Sequence, residues 1–393
     1  MTEIFASLKP QKKDKMTTGF SKKEGAPMPK KILFITPFFG RTGSEMQLLY
    51  ILENLNAEKF EPYLFTRNDG SLLKDLPKYI KYFVGYKKNS NYLLRLFRLL
   101  LYGVNINPVE FQLRKIQKKV KADYWYINTI VNRDAYAIAV KLGIKIISHV
   151  HEMPLYYDMV KEKTIENVLK SDLCIGCSKI VCQNLEDMGH KNVKLLNSFV
   201  DERFISLSQV KVSEQFNFSP NDFIWIMAGS VNAIKGVDFV IPLLKVLEPN
   251  HKIIWIGGIE DSGTTAYAQI AGKAAFKDRL FFVGRKSTDY YDYFNLGNAF
   301  LLLSRQDSFP LVMQEAAHLG KPIAGFNSGG IEEYVNDKIG IVVNQLSFTD
   351  LAEAMETIEK NYGSYDKDYI KRYAKSFNAT DQTLKLQSIL EEI

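Results

Sequence analysis

The stretch LLLSRQDSFPLVMQEAAHLGKPIAGFNSGGIEEYV, from Leu301 to Val335, restricts the fold more than any other part of the 393-residue chain. Leu301 to Leu303 reads as the end of a buried strand. Asp307 and Ser308 then offer capping side chains before a helical pattern over Leu311–Leu319. Ile323 to Phe326 is a second short apolar strand, and Ser328-Gly329-Gly330 opens a further helix at Ile331. Helix N-termini carry unpaired N–H groups and partial positive charge. Two of them outside the carboxyl ends of parallel strands make a crevice suited to phosphate or another anion.

Short apolar, β-branched runs recur along the rest of the chain, at Ile32–Pro37, Tyr63–Thr66, Tyr124–Asn128, Lys145–His149, Asp172–Ser178, Phe223–Ala228, Ile253–Gly258 and Leu280–Gly284. Helical patterns at Val237–Leu247 and Tyr290–Gly297 fall between the later ones. This is α/β spacing, and the length allows two domains. The polar segment Leu207–Pro220 reads as the linker, giving an N-terminal domain over 30–205 and a C-terminal domain over 206–376.

Several residues carry chemistry. In Gly40-Arg41-Thr42-Gly43-Ser44-Glu45 the glycines allow close backbone approach to a ligand, and Ser44 is placed to cap a helix. His149 and His151 sit at a strand end, and alternation puts them on one side. Lys235 lies on a glycine-flanked loop, Gly229 to Gly236, where its point charge suits a diphosphate. Asp307 and Glu315, separated by seven residues, are carboxylates, which accept hydrogen bonds of the kind that vicinal sugar hydroxyls donate in pairs. The sequence has no Walker A pattern, which argues against a P-loop nucleotidase.

Asp307-x7-Glu315 with the Gly329-Gly330 turn resembles the donor-site signature of retaining GT-B glycosyltransferases of family 4. The resemblance extends through Thr42-Gly43-Ser44-Glu45, His151-Glu152, Asn197-Ser198-Phe199-Val200-Asp201 with Phe204, and Lys235, covering nearly all of residues 30–393. It implies an α/β GT-B fold, two Rossmann-like domains with parallel sheets facing a central cleft, and a final helix, 377–393, crossing back to the first domain. It also implies transfer of a hexose-type sugar, with retention, from a UDP- or GDP-type nucleotide sugar to an acceptor hydroxyl. By position His151, Lys235 and Asp307 are the catalytic candidates. Gly43, Ser230, Lys235, Arg285, Asp307, Phe309, Pro310, Leu311, Val312 and Glu315 are the donor-binding ones, with Asp307 toward the sugar and Glu315 toward the ribose. Thr42, Glu45 and Glu152 fall on the acceptor side. The chain departs from the family pattern at Asp307, usually Glu, at Pro310 and Ser198, where glycine is common, and at Ser230, where an arginine is usual; Arg285 is the candidate replacement. Two alternatives keep the architecture: a nucleotide-sugar epimerase or phosphorylase, and a non-catalytic partner protein.

No metal is expected, because protein donors neutralise the phosphates; Asp366 and Asp368 read as solvated surface. Cys174, Cys177 and Cys182, near His190, could suggest zinc, but residues three apart on a strand point to opposite faces, so structural thiols are expected. The formal net charge of +7 is uneven: residues 1–31 hold eight lysines, and 1–29 reads as a disordered basic tail. Residues 92–102 (YLLRLFRLLLY) are apolar with two arginines, too short to span a bilayer but suited to an anionic headgroup layer. A cytoplasmic protein, peripheral on the inner face of the membrane, follows as the expectation. Its partners are a nucleotide sugar and a glycan or lipid-linked acceptor, with no nucleic acid.

Overall fold

The computed structural model describes residues 28–86, 103, 107–344 and 346–393. The expected basic tail up to residue 27 and the segment 92–102 lie outside them. The chain divides into two compact units, Met1–Leu196 with Thr380–Ile393, and Asn197–Ala379. The division falls after Leu196, where the sequence pattern put it at residue 205.

The first unit holds β1 (Lys30–Phe38), β2 (Phe60–Asn68), β3 (Lys81–Tyr86), β4 (Tyr124–Asn128), β5 (Lys145–Val150), β6 (Leu173–Gly176) and β7 (Val193–Leu195). They form one sheet in the order β3-β2-β1-β4-β5-β6-β7, every neighbouring pair parallel. The second unit holds β8 (Phe223–Ala228), β9 (His251–Ile256), β10 (Leu280–Gly284), β11 (Ala299–Leu302), β12 (Ile323–Phe326) and β13 (Gly340–Val343). Their order is β10-β9-β8-β11-β12-β13, again all parallel. Both orders reverse direction beside their first strand, between β1 and β4 and between β8 and β11. Open α/β sheets take ligands at that switch point.

Both faces of the second sheet are buried, which is why its strands read as unbroken apolar runs. In β8, Phe223, Trp225 and Met227 join one core while Ile224, Ile226 and Ala228 join the other. The tryptophans Trp125, Trp225 and Trp255 are buried in strands with each indole N–H bonded, to Gln117 Oε1, His251 Nδ1 and the Gly229 carbonyl at 2.9, 3.0 and 3.1 Å. Burial of so large a ring is favourable only if that donor finds a partner. The last helix, Ala379–Glu391, belongs to the first unit, where Gln387 accepts from the Asn56 N–H at 2.8 Å and Glu391 pairs with Lys59 at 2.7 Å.

Three local expectations are corrected. The segment 207–220 is not a free linker: Ser208 and Gln209 donate backbone N–H groups to Asp292, each at 3.1 Å, and Val212 enters the second unit's core. Phe216 and Phe218 stack at 4.9 Å and meet Phe281 edge-on. The helix expected from Val237 begins at Val240 and ends at Val246, because Gly236 adopts a left-handed φ of 78° that turns the chain first. Ser44 lies inside the helix Gly43–Asn54 rather than capping it; Thr42 holds the cap position without a side-chain cap bond.

Candidate functional site

In the second unit, the loops leaving β8 and β11 meet at the switch point. Gly236 makes this possible: a Cβ there would lie 2.2 Å from the Leu303 carbonyl oxygen, so only glycine lets the first loop press against the end of β11. Arg305 staples the loops together. Its backbone N–H reaches the Ile234 carbonyl at 2.9 Å, its guanidinium pairs with both Asp238 oxygens at 2.9 and 2.5 Å, and it lies 3.9 Å over the Phe239 ring. The Arg305 charge holds the Asp238 pKa below the usual carboxylate value.

This closure brings Lys235 Nζ onto Asp307 Oδ2 as an ion pair, with side-chain exposures of 28% and 13%. Ser304 Oγ donates to the same oxygen at 3.2 Å. Asp307 does not cap a helix, contrary to the sequence pattern. The N-cap of the helix Leu311–His318 is Pro310, with no side-chain cap bond. Asp307 is instead pinned by its backbone, its N–H to the Ser328 carbonyl at 2.8 Å and its carbonyl accepting from Gly330 at 3.1 Å. The Ser328-Gly329-Gly330 turn therefore fixes the site directly, and the helix it opens is a single turn, Ile331–Tyr334.

Glu315, one turn into its helix, is buried and accepts the Tyr290 and Tyr291 hydroxyls, one on each oxygen, both at 3.0 Å. A buried carboxylate needs such donors. Neither tyrosine was singled out from sequence; the signal was their position at the start of a helix following a strand end. Ser230 and Arg285 are exposed at the ends of the β8 loop and β10. The Arg285 guanidinium lies over Gly258, where a Cβ would stand 2.3 Å from Nε. Phe309 points away, packed in the core against Tyr334 and Phe377, so only its backbone is left for a ligand. Pro310 and Leu311 are buried, and Val312 packs against the same core.

The first unit repeats the arrangement between β1 and β4. Gly43 and Thr42 are exposed, and no atom lies within 4 Å of a Cβ built on Gly43. Glu45 turns inward, 2% exposed, accepting hydroxyls from Thr36 at 3.0 Å, Ser44 at 2.8 Å and Thr42. Burial raises its pKa despite those donors. Of the residues expected on the acceptor side, Thr42 is thus exposed, as is the expected donor-side Gly43, while Glu45 holds the loop's shape. Asn128, missed in the sequence, donates to the Ser44 carbonyl at 3.3 Å and meets His151 Nε2 at 3.0 Å. His149 is fully buried and His151 half-buried, their ring centroids 4.1 Å apart. Burial pushes the His151 pKa down to about 3 and His149 well below its usual value.

Glu152 accepts the backbone N–H of His151 at 3.0 Å and of Ile130 at 3.2 Å, and burial pushes its pKa up to about 7. Folded Glu152 therefore keeps a proton that the unfolded chain releases near pH 4.5. Stability from this group is present below that pH and lost as pH rises through 7. Glu152→Gln is expected to gain on the parent by roughly 1–3 kcal/mol between pH 5 and pH 8 in urea denaturation. A pH-independent difference would contradict the raised pKa. The two histidines act in the opposite sense, but they are common to both proteins and drop out of the comparison.

Cys174, Cys177 and Cys182 are not joined in disulfides, and burial raises the Cys174 pKa to about 12. Among the described residues no three His, Cys, Asp or Glu side chains gather in a way that could hold a metal ion. Asp366 caps the helix Lys367–Lys375, accepting from Asp368 and Tyr369 N–H groups at 2.9 Å. No helix among the described residues is long and apolar enough to cross a membrane.

Two Rossmann-like units of parallel sheet, each with its loops gathered at a switch point, define the GT-B fold. HepE of Anabaena, in its crystal structure with UDP and glucose, shares it with a TM-score of 0.77 at 17% identity, covering 93% of this chain and 100% of that one. Residues 209–377, the span that carries Lys235, Asp307 and Glu315, match the family model for glycosyl transferases group 1. N-acetyl-alpha-D-glucosaminyl L-malate synthase of Bacillus anthracis is 26% identical over 149 residues, 37% of this chain and 38% of that protein. An uncharacterized glycosyltransferase of Methanocaldococcus jannaschii is 25% identical over 174 residues, 42% and 48% of the two chains. The chain thus spans less than half the length of these curated relatives.

Proposed function

We propose that the chain is a retaining glycosyltransferase of family 4, moving a hexose-type sugar from a UDP- or GDP-type nucleotide sugar to the hydroxyl of a glycan or lipid-linked acceptor. The observation that carries this reading is the Lys235–Asp307 ion pair at the β8/β11 switch point, with Glu315 in the helix Leu311–His318 that follows β11, all within the span matched by the group 1 family model. Lys235 meets the diphosphate and stabilises the charge that grows on the leaving group. Glu315, its carboxylate already oriented by two phenols, accepts from the ribose hydroxyls. Asp307 accepts from the sugar and holds Lys235 until phosphate arrives. Arg285 supplies the second cation in place of the residue at Ser230, and no metal is required.

The proposal is tested by incubating the chain with nucleotide sugars and simple acceptors and reading nucleoside diphosphate release together with the anomeric configuration of the product. Free epimerised sugar without acceptor would replace this reading with an epimerase, and an inverted product would remove the retaining mechanism. A role in bacterial surface polysaccharide or glycolipid assembly, at the inner face of the membrane, rests on residues 92–102. The chain is expected to float with anionic liposomes, and an Arg95→Glu, Arg98→Glu variant to stay behind; absence of binding by the parent would end that part of the proposal.

A further inference from the structure

We propose that Asn128 is a positioning residue that holds His151 with its proton on Nε2, so that Nδ1 is presented as a hydrogen-bond acceptor for a hydroxyl of the sugar or of the acceptor. Asn128 is fully buried at the end of β4. Its amide nitrogen donates to the Ser44 carbonyl oxygen at 3.3 Å, and that contact decides which end of the amide is which. The reversed placement would set two carbonyl oxygens against each other. Asn128 Oδ1 then stands 3.0 Å from His151 Nε2 and, having no proton to give, must receive one. The Asn128 backbone is itself fixed, its carbonyl accepting from the Asn132 amide at 2.6 Å.

A neutral imidazole protonated on Nε2 carries its lone pair on Nδ1. No described residue hydrogen-bonds to that atom, and it is not among the buried polar atoms left without a partner, so it remains reachable. The surroundings disfavour a second proton. The His149 ring lies 4.1 Å away, engaged through Nδ1 with Tyr126 Oη at 2.7 Å, and the Glu152 carboxyl is already occupied by the His151 backbone N–H. The Ser44 carbonyl belongs to the first turn of the helix Gly43–Asn54 that follows β1, so helix, amide and imidazole form one hydrogen-bonded chain across the β1/β4 switch point. The ligand atom that meets His151 must bring its own proton: a hydroxyl fits, and a phosphate oxygen does not.

The second half of this inference rests on the glycosyltransferase reading of the proposed function, with His151, a catalytic candidate by position, facing the ligand; the first half does not. Long-range proton–nitrogen correlation spectra of the full chain labelled with 15N-histidine read the tautomer directly, with His151→Gln assigning the signals. The wild type is expected to show, from pH 6 to pH 8, a proton-bearing Nε2 and an unprotonated Nδ1. Asn128→Leu, checked for folding by circular dichroism, is expected to move both signals toward an average of the two tautomers. A wild type already averaged, or protonated on Nδ1, overturns the role of Asn128 whatever the variant does. Addition of a bound nucleotide sugar with acceptor is expected to shift Nδ1 in the direction of an accepted hydrogen bond. An unmoved Nδ1 in a protein with the stated tautomer overturns the contact to a hydroxyl alone.

Discussion

Lys235→Ala is expected to lower kcat/KM for sugar transfer by roughly 10²–10³-fold, the loss typical of removing one donor that stabilises charge in a transition state. Two effects add. The nucleotide diphosphate loses its cation, and Asp307, 13% exposed, is left as an uncompensated carboxylate beside it. Removing one partner of a half-buried pair leaves the other charge without its counterion. The double variant Lys235→Ala, Asp307→Asn is therefore expected to recover part of the affinity for nucleoside diphosphate while kcat stays low. Steady-state kinetics with nucleoside diphosphate inhibition separates the two effects. A single variant with unchanged kcat/KM would take Lys235 out of the site.

The second large effect falls on Glu315. Glu315→Ala is expected to weaken nucleotide binding by about 10–100-fold, the value of a hydrogen bond to a charged group. It is also expected to cost about 1–3 kcal/mol of stability, because the Tyr290 and Tyr291 hydroxyls lose their acceptor. Glu315→Gln keeps one acceptor oxygen and is expected to retain more stability than affinity. Tyr291→Phe frees one carboxylate oxygen to rotate and is expected to weaken nucleotide binding less than Glu315→Ala does. Calorimetry and thermal unfolding on the same preparations check both readings. Wild-type affinity in Glu315→Ala would leave the carboxylate with a structural role only.

What was legible in the sequence follows from periodicity and from loop chemistry. β4, β8 and β12, buried along their whole length, have the bounds their apolar runs predict, and so does β10 at a sheet edge, where Gly284 ends the run. β3 and β13 escape the apolar pattern, and β7 is legible only as an unbounded strand before Asn197. β3 is a sheet edge with Lys81 exposed at its start, β7 is three residues long, and β13 begins with a glycine whose Cβ would meet the Ile323 backbone. Among the site residues, those with a charge on a glycine-bordered loop were readable. Those that work through a partner far along the chain were not: Asp238 with Arg305, Tyr290 and Tyr291 with Glu315, and Asn128 with Ser44 and His151. An asparagine ending a strand looks the same in sequence whether it faces solvent or bridges a helix start and a strand end. Asp307 shows the converse error, since a local capping role suggested by its neighbours lost to an ion pair formed with a residue on another loop.

The central claim is that the second unit binds a nucleotide sugar through Lys235, Asp307 and Glu315. Titration calorimetry of the wild-type chain against UDP-, GDP-, ADP- and dTDP-sugars, with Glu315→Ala in parallel, tests it most directly. The account predicts saturable binding of a UDP- or GDP-sugar that is lost or strongly weakened in Glu315→Ala. Binding of no nucleotide by a folded wild type would contradict it and leave a GT-B protein without a donor.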